Sequence, residues 1–305
     1  MQENQTAYLE KYKSGALKKI KEELIRRLEN CTLCPRNCNV NRLKRETGIC
    51  STGRKAVVAS CSPHFGEEDP LVGTQGSGTI FFSFCNLLCS FCQNFEISHM
   101  GEGSLVSDEK IAEMMIALQN MGCHNINFVT PGHVIPQIVS AVEIAASKGL
   151  CIPLVYNTSA YDKVSTLEIL KGIFNIYMPD FKFTQSEFAK KVCNSPDYPE
   201  VAKAAIKEMY RQVGDLQTDD DGIANRGLLV RHLVMPDSLE DTENILEFIT
   251  EEISKNTYIN IMSQYRPAGK AIMNSKLARS ITHEEFISAI STARKKGLKR
   301  IDNEL

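Results

Sequence analysis

Short β-prone runs alternate with helical segments about six times from residue 79 onwards. Because parallel strands need a long crossover between them, usually a helix, this alternation implies a parallel sheet. We therefore predict an α/β fold and favour an incomplete (β/α) barrel over a doubly wound sheet. The predicted strands are Thr79–Phe84, Ile126–Val129, Ile152–Asn157, Asn175–Asp180, Leu228–Val234 and Tyr258–Met262.

Helical periodicity and capping residues predict the segments that connect these strands. Ser107 begins a run that continues to Gly122, and Thr282 with Glu285 forms a capping box at the start of the last helix. Before the first strand we predict one amphipathic helix and a cysteine-rich loop region, so that residues 1–74 form an extension and residues 75–305 the barrel. The other predicted helices are Asn4–Asn30, Val134–Ser147, Tyr198–Val213 and Ser238–Ile253.

The composition indicates a globular protein with no nucleic-acid or membrane partner. The formal net charge is -2, which provides no basic surface for nucleic acid or acidic lipid. The most apolar stretch, Val134–Ala146, is too short to cross a bilayer and contains Glu143. The N-terminus is polar and lacks the apolar segment of a signal peptide. We therefore expect a cytoplasmic protein.

Eleven cysteines are the most informative residues in the chain. Thiols stay reduced in the cytoplasm, so tight groups of cysteines there favour metal binding over disulfides. Two such groups occur, one within residues 31–50 and one within residues 85–92. The remaining cysteines are scattered, and we expect Cys123, Cys151 and Cys193 to pack as small hydrophobic residues.

The second group has the spacing Cys-x3-Cys-x2-Cys, at Cys85, Cys89 and Cys92, directly after the first predicted strand. Soft thiolates select iron–sulfur clusters or zinc over hard cations. A closed cluster takes four cysteines, so three would leave one iron of a [4Fe–4S] cluster open, where the amino and carboxylate groups of S-adenosylmethionine can chelate. The alternative is a zinc site with three cysteines and a histidine such as His99.

Several longer motifs extend the comparison beyond the cysteines. The chain resembles radical SAM proteins similar to the activating enzymes of pyruvate formate-lyase, in particular the activase-like subset with an N-terminal Cys-x2-Cys-Pro-Arg-x-Cys motif. The resemblance covers nearly the whole chain and implies a partial (β/α)6 TIM-like barrel of the radical SAM type. Its motifs are Cys31-Thr-Leu-Cys-Pro-Arg-Asn-Cys38, His64-Phe-Gly-Glu-Glu68, the cysteine loop, Asn157-Thr-Ser-Ala-Tyr161, Tyr177-Met-Pro-Asp-Phe-Lys182, Arg231-His-Leu-Val-Met-Pro236 and Met262-Ser-Gln-Tyr-Arg-Pro267.

The resemblance implies an enzyme in which an external one-electron reductant, flavodoxin or ferredoxin-like, reduces a [4Fe–4S] cluster. The cluster then cleaves S-adenosylmethionine, and the resulting 5′-deoxyadenosyl radical abstracts hydrogen from substrate. For the activases that substrate is a glycine Cα of a glycyl radical protein. Two alternatives stay open: a radical SAM enzyme acting on a small molecule or another peptide, and a non-enzymatic iron–sulfur or zinc scaffold.

Two departures from the family pattern affect the expected pocket. The Gly-Gly-Glu motif that receives the amino group of the cofactor is absent, and Thr130-Pro-Gly-His133 stands in its place. His133 is therefore a candidate for that role, although a helix-start histidine without a ligand is nearly as plausible. Phe84 and Leu88 stand where related sequences commonly have Gly and Arg.

Strand ends supply the remaining candidate site residues. Period-two geometry puts Asp180 and Lys182 on one face, which should point into the top of a barrel, although an exposed pair is the alternative. Arg231 and His232 lie on opposite faces, and the family parallel favours Arg231 for the cofactor carboxylate. The predicted catalytic residues are Lys182 and His133. The predicted cofactor-binding residues are Phe91, Asn157, Thr158, Met178, Asp180, Arg231 and Gln264.

The resemblance also implies a monovalent cation beside the cofactor, held by Asn157, Thr158, Met178 and Asp180. The family has Asp at the position of Asn157, which weakens that expectation. Arg266 ends the sixth strand with Gln264. The loop with His64, Glu67 and Glu68 is distinctive but suggests no mechanism.

The first cysteine group can also hold metal. Cys31, Cys34, Cys38 and Cys50 supply four thiolates in loops, with Cys61 as a substitute ligand. Four thiolates suit a closed tetrahedral zinc site or a second [4Fe–4S] cluster. We favour zinc slightly, because the first pair is Cys-x2-Cys and the loop has a structural character.

Overall fold

Ten strands form one sheet in the computed structural model, which describes residues 6–302. They are β1 (Ala56–His64), β2 (Ser77–Phe82), β3 (Ser104–Val106), β4 (Ile126–Val129), β5 (Leu154–Thr158), β6 (Ile176–Pro179), β7 (Gln217–Thr218), β8 (Ala224–Leu233), β9 (Tyr258–Met262) and β10 (Arg300–Ile301). Their order is β10-β9-β8-β6-β5-β4-β2-β1-β3, with β7 beside β8. Within residues 6–302 the end strands β10 and β3 do not pair with each other, so the sheet is open.

The six predicted strands form the parallel centre of this sheet. Strands β2, β4, β5, β6, β8 and β9 pair in parallel with their neighbours. In the described part of the chain, antiparallel pairing occurs only between β1 and β2, β1 and β3, and β7 and β8. The predicted partial (β/α) barrel is therefore confirmed as an open, mostly parallel α/β sheet.

Helices connect the parallel strands, as the alternation predicted. Ser107 caps its helix by accepting a hydrogen bond from the Lys110 amide, and the Thr282–Glu285 capping box is present. The helices are α1 (Ala7–Lys13), α2 (Ala16–Arg26), α3 (Asp69–Val72), α4 (Phe95–Met100), α5 (Asp108–Asn120), α6 (Ile135–Ser147), α7 (Val164–Leu167), α8 (Ser186–Cys193), α9 (Tyr198–Val213), α10 (Leu239–Phe248) and α11 (His283–Lys296).

The predicted single helix Asn4–Asn30 is wrong as one element. It divides into α1 and α2 at Ser14 and Gly15, because Gly15 has φ +74° and so leaves the right-handed helix. Asn4 itself lies outside the described residues. A second division follows Phe248, where α10 continues into a π-helical turn at Ile249–Ile253.

The N-terminal extension contributes a strand that the sequence analysis missed. Strand β1 pairs antiparallel with β2 and with β3, and it falls within the region predicted as a cysteine-rich extension. The sheet therefore crosses the domain boundary predicted at residue 74. Strand β2 also ends at Phe82, two residues before its predicted end, because Phe84 takes φ +67°.

The core lies between the sheet and its helices. Helix α2 packs against α6, and the buried Tyr8 of α1 donates a hydrogen bond to the carbonyl of Ile152 (3.1 Å). One hydrophobic cluster therefore joins the N-terminal helices to the strands and helices of the barrel. Among residues 6–302, no helix is both long enough and apolar enough to cross a membrane.

Gly78 at the start of β2 is predicted to be required for packing. A Cβ there would lie 2.7 Å from the carbonyl oxygen of Asn125 and 3.1 Å from the Cβ of Cys123. Because the first of these atoms is backbone, the Gly78→Ala substitution should lower the free energy of unfolding by about 1–3 kcal/mol in urea titrations. Gly53→Ala is the control, since nothing lies within 4 Å of its added Cβ. Equal stability of the two variants would contradict this packing argument.

Candidate functional site

A large cavity opens at the carboxyl ends of the parallel strands, with about 1190 Å³ of empty space including the part open to solvent. In parallel α/β folds this is the edge at which ligands bind. The cavity brings together most of the predicted site residues, which are Cys85, Cys89, Phe91, Cys92, Asn157, Thr158, Asp180, Lys182, Arg231 and Gln264.

The loop between β2 and α4 carries the three cysteines that line this cavity, which we name the barrel cysteine site (Cys85, Cys89 and Cys92). The backbone N–H of Leu87 donates to Cys85 Sγ (3.3 Å), and the Ser98 hydroxyl donates to Cys92 Sγ (3.2 Å). Hydrogen-bond donors aimed at sulfur stabilise thiolates, the form in which cysteine binds metal. The loop is therefore suited to hold soft metal at the cavity wall.

Burial opposes ionisation of these thiols when no cation is bound. It raises the pKa of Cys85 to about 12 and raises the pKa of Cys92. For Cys89 the hydrogen bond with Cys193 is the largest cause of a raised pKa, followed by burial. The positive charge of bound metal would stabilise the thiolates that burial disfavours.

Cys193 at the end of α8 is a neighbour that sequence reasoning missed. Its Sγ lies 3.4 Å from Cys89 Sγ, and the residue is buried. The sequence analysis grouped it with scattered hydrophobic cysteines, because 104 residues separate it from Cys89. Only the packing of α8 against the loop brings the two sulfurs together. His99, the alternative zinc ligand, instead stacks on Phe95 with ring centroids 4.1 Å apart.

A network of charged side chains lines the same cavity. The Arg231 guanidinium donates from Nε to Asp180 Oδ1 (2.7 Å) and from Nη2 to Asn157 Oδ1 (2.7 Å). The Lys182 ammonium donates to Asp180 Oδ2 (2.8 Å). The loop after β1 closes the network, since Arg231 Nη1 lies 3.2 Å from Glu67 Oε2. The sequence suggested no mechanism for the loop that carries Glu67. In the structure this loop helps to hold Arg231 in place.

Two cations determine the ionisation of Asp180. Burial alone would raise the pKa of this carboxyl, but Arg231 and Lys182 hold it at about 2, below the ordinary 3.8. Burial would lower the pKa of Lys182, but the negative charge of Asp180 raises it overall. All three groups are therefore charged at neutral pH.

The same contacts occupy side-chain oxygens that were expected to bind a monovalent cation. Both carboxylate oxygens of Asp180 already accept hydrogen bonds from cationic side chains, and so does Asn157 Oδ1. Lys182 and Arg231 therefore supply the positive charge at this position.

Two predicted residues lie away from the cavity. Met178 is fully buried in the core, with its backbone paired to Asn157 of β5. His133 is 1% exposed and its Nε2 forms a hydrogen bond with the carbonyl of Ser83 (2.9 Å), on the other side of the cysteine loop. Of the Thr130–His133 segment, Thr130 lines the cavity instead.

Strand β8 separates its two predicted polar residues as expected from period two. Arg231 lines the cavity. His232 is fully buried and forms hydrogen bonds with the Phe181 carbonyl (2.8 Å) and with Thr242 Oγ1 (2.9 Å). Gln264 lies at the cavity rim, where its carbonyl accepts a hydrogen bond from Gln93 (3.2 Å), whereas Arg266 is exposed and does not line the cavity.

The four remaining clustered cysteines form a separate site, which we name the N-terminal cysteine site (Cys31, Cys34, Cys38 and Cys50). All four line one cavity together with Arg42 and His133, neither of which the sequence placed there. Three of the thiols are buried, and Cys38 is half-buried. The sequence contains no motif that would identify Arg42 as a site residue, because its position at the cavity depends on the tertiary fold.

Within residues 6–302, no three His, Cys, Asp or Glu side chains are placed so that they could hold one metal ion. The thiols of each site instead line the wall of a cavity.

Comparisons with known proteins identify the family of this chain. Residues 79–249 match the family model of the Radical SAM superfamily. The chain is 32% identical over 280 residues to the uncharacterized protein MJ0674 of Methanocaldococcus jannaschii, covering 90% of this chain and 77% of that protein.

Solved structures of SuiB from Streptococcus suis are also similar. The structure bound to the precursor peptide SuiA has a TM-score of 0.47 at 14% identity, and the structure bound to S-adenosylmethionine has a TM-score of 0.47 at 13% identity. Each match covers 72% of this chain and 47% of SuiB, so the chain spans about half the length of that protein.

The ion network predicts a pH-dependent contribution of Asp180 to stability. Because the folded-state pKa is about 2 and the ordinary value is 3.8, the contribution is complete above about pH 4, declines below it and is lost near pH 2. At pH 6, wild type and Asp180→Asn should therefore differ in their free energy of unfolding. This difference should shrink by about 2 kcal/mol as the pH falls to about 2.

Urea titrations from pH 6 to pH 3 cover the upper part of this range, over which the difference should shrink by about 1 kcal/mol. The control is Asp221→Asn, whose side chain is exposed. If the difference for Asp180→Asn changes with pH no more than that of this control, the proposed charge on Asp180 is contradicted.

Proposed function

Since the chain belongs to the radical SAM superfamily, we propose that it reductively cleaves S-adenosylmethionine at a [4Fe–4S] cluster bound by the barrel cysteine site. The observation that carries this proposal is the position of the three thiols on the same cavity as Asp180, Lys182 and Arg231. The same cavity thus offers soft ligands for iron and charged groups for the amino-acid end of the cofactor.

The residues present fit both cofactors. Leu87 and Ser98 already direct donors at Cys85 and Cys92, and such hydrogen bonds to sulfur tune iron–sulfur clusters. When bound, the cluster supplies one electron to S-adenosylmethionine, and the resulting 5′-deoxyadenosyl radical abstracts hydrogen from substrate. The protein binds, orients and shields these groups.

The charged network supplies the groups that would orient the cofactor. A guanidinium has five N–H donors and an ammonium has three, so Arg231 and Lys182 keep donors beyond those that bind Asp180, Asn157 and Glu67. We assign these remaining donors to the carboxylate of S-adenosylmethionine. Asp180 keeps both cations fixed, because each of its oxygens holds one of them.

The amino group of the cofactor needs an acceptor that the absent Gly-Gly-Glu motif would otherwise provide. His133 was predicted for this role, but it faces the other side of the cysteine loop. We assign the role to Thr130, which directly follows β4 and lines the cavity. Its backbone is held in place by a hydrogen bond from its N–H to the Asn157 carbonyl (2.9 Å). Phe91 and Gln264 form further parts of the cavity wall.

The finer part of the proposal concerns substrate, partner and location. The motif resemblance to activating enzymes supports abstraction of hydrogen from a glycine Cα of a glycyl radical protein. It also supports a cytoplasmic reductant of the flavodoxin or ferredoxin type. The four thiols of the N-terminal cysteine site support a second metal centre there.

Removing the barrel thiols should abolish the reaction. Protein with Ala at Cys85, Cys89 and Cys92, reconstituted anaerobically, should lose about four irons per chain relative to wild type. Its reduced EPR spectrum should no longer change when S-adenosylmethionine is added, and 5′-deoxyadenosine should not form. Cys123→Ala is the matched control, because Cys123 is buried, like Cys89, but lines neither cavity. Retention of the cofactor response by the triple variant would refute the assignment.

The substrate proposal predicts a protein-based radical. Reduced enzyme, S-adenosylmethionine and a glycyl radical protein of the host should give a carbon-centred EPR doublet, because the unpaired electron would couple to the remaining α-hydrogen. Substituting Ala for the acceptor glycine should remove the doublet. If 5′-deoxyadenosine forms but no host glycyl radical protein gives a doublet, the activase assignment is wrong and a small molecule or another peptide is the substrate.

A further inference from the structure

We propose that Cys193 raises the reduction potential of the cluster bound by the barrel cysteine site, because its thiol donates a hydrogen bond to the sulfur of Cys89. The inference rests on the proposed function, since it needs a [4Fe–4S] cluster at that site. Three observations carry it: the contact between the two sulfurs, the donors on the other two barrel thiols, and the attachment of helix α8 to the cysteine loop.

The first observation is the contact between Cys193 and Cys89. Their Sγ atoms lie 3.4 Å apart, within hydrogen-bond distance for sulfur and well beyond the about 2.05 Å of a disulfide. Without metal, either thiol can donate to the other. A metal-bound cysteine is a thiolate and has no proton to donate. When Cys89 binds iron, Cys193 is therefore the donor and Cys89 the acceptor.

Two other roles for Cys193 differ from this one in what they predict. As a fourth cluster ligand, it would close the iron that the proposed function leaves open for S-adenosylmethionine, and its removal would cost iron. As a packing residue, it would make no directional contact, and an apolar side chain would replace it without effect on the cluster. Iron content and reduction potential therefore separate the three roles.

The second observation is that each of the other two barrel thiols also has a donor. Cys85 Sγ accepts a hydrogen bond from the Leu87 N–H (3.3 Å), and Cys92 Sγ accepts one from the Ser98 hydroxyl (3.2 Å). The donor for the third sulfur comes from α8, 104 residues along the chain. All three proposed ligands thus have a hydrogen-bond donor directed at sulfur, and the third is supplied by the tertiary fold.

The third observation is the attachment of α8 to the cysteine loop. The N–H of Ser90 donates a hydrogen bond to the carbonyl of Val192 (2.8 Å). Ser90 directly follows Cys89, and Val192 directly precedes Cys193. A backbone hydrogen bond therefore lies next to the contact between the sulfurs and fixes the distance between the two segments.

Arg36 holds the same end of α8. Its guanidinium donates to the carbonyls of Cys193 (2.8 Å) and Asn194 (2.6 Å). The last carbonyls of a helix have no partner within the helix, and positive charge is favoured beside them. Asn194 has φ +50° and ends the helix at Cys193. The position of the Cys193 thiol is therefore set by backbone contacts and does not depend on its own hydrogen bond.

The sign of the effect follows from charge. Reduction adds one negative charge to the cluster and its thiolates, so a donor directed at a ligand sulfur stabilises the reduced state more than the oxidised state. Hydrogen bonds to sulfur are among the factors that set cluster potentials. Cys89 and Cys193 are 8% and 4% exposed, and the low dielectric of a buried site strengthens a hydrogen bond. Because a thiol is a weak donor, we expect a moderate shift.

A redox titration of the reconstituted enzyme, followed by the EPR signal that responds to S-adenosylmethionine, tests the inference. Cys193→Ala should have a lower midpoint potential than wild type. At a fixed applied potential, its ratio of reduced to oxidised cluster should be about threefold to tenfold lower, which corresponds to about 30–60 mV for a one-electron couple. Cys193→Ser keeps a donor at this position, so its ratio should stay within about twofold of wild type.

Cys123→Ala serves again as the matched control, because it removes a buried thiol that lines neither cavity. Its midpoint potential should equal that of wild type. Iron content should be the same in wild type and in every variant, since Cys193 is not a ligand. An unchanged potential in Cys193→Ala would overturn the inference. Loss of cluster iron from a variant that is folded by circular dichroism would identify Cys193 as a ligand and would also overturn it.

If Cys193→Ala does not fold, Cys193→Val takes its place, because it fills the space of the thiol with an apolar group and should lower the potential in the same way. Failure of the proposed function is distinguishable, since wild type itself would then show no cluster signal that responds to S-adenosylmethionine. If wild type gives that signal and forms 5′-deoxyadenosine while the variants keep its potential, only the inference about Cys193 fails.

Discussion

The Arg231 guanidinium joins the carboxyl ends of the parallel strands, and the shape of the large cavity depends on it. One side chain on β8 contacts Asp180 after β6, Asn157 on β5 and Glu67 after β1. The backbone repeats the connection, since the N–H of Phe181 donates to the Arg231 carbonyl (2.8 Å). Strands from both halves of the open sheet are thereby held at fixed spacing around the cavity, although the sheet does not close.

Such a network is weak support for stability and better support for a binding site. Burying charged groups costs as much as their mutual attraction returns, and well-packed apolar residues often serve stability equally well. Removing one partner of a buried pair nevertheless costs about 3–5 kcal/mol, because an uncompensated charge remains. The role proposed for the network of Asp180, Lys182 and Arg231 is consistent with this, since its donors are fixed and would need no rearrangement when a ligand binds.

The barrel loop has two unfavourable features that bound metal would relieve: a strained backbone and buried thiols. Phe84 and Leu88 take φ +67° and +56°, a region that costs non-glycine residues about 1–2 kcal/mol each. Burial also opposes ionisation of the thiols that the loop presents. Metal binding would offset both costs, since it stabilises thiolates and fixes the loop. Arg36, between Cys34 and Cys38, donates to the carbonyls of Asn86 and Leu87 in the barrel loop, so the two cysteine loops are in direct contact.

The sequence by itself determined the parallel architecture and singled out the cysteines that we propose as metal ligands. Alternation of strand and helix specifies parallel pairing because a crossover helix leaves few other topologies. Cys85, Cys89 and Cys92 lie within one short loop, so their spacing along the chain is enough to bring them together. Period-two geometry also placed Arg231 and His232 on opposite faces of β8. These signals are local, so they survive without knowledge of the fold.

Only the tertiary structure decided which distant residues meet. Strand β1 escaped prediction because its antiparallel pairing depends on a partner strand rather than on its own pattern, and the break at Gly15 followed from a single positive φ. His133 lies away from the large cavity, at the N-terminal cysteine site. Arg42 lies at that same site and Cys193 lies beside Cys89, although neither belongs to a recognisable sequence motif. Contacts between residues far apart in the chain depend on how helices and loops pack against the sheet, and residue spacing contains no record of that packing.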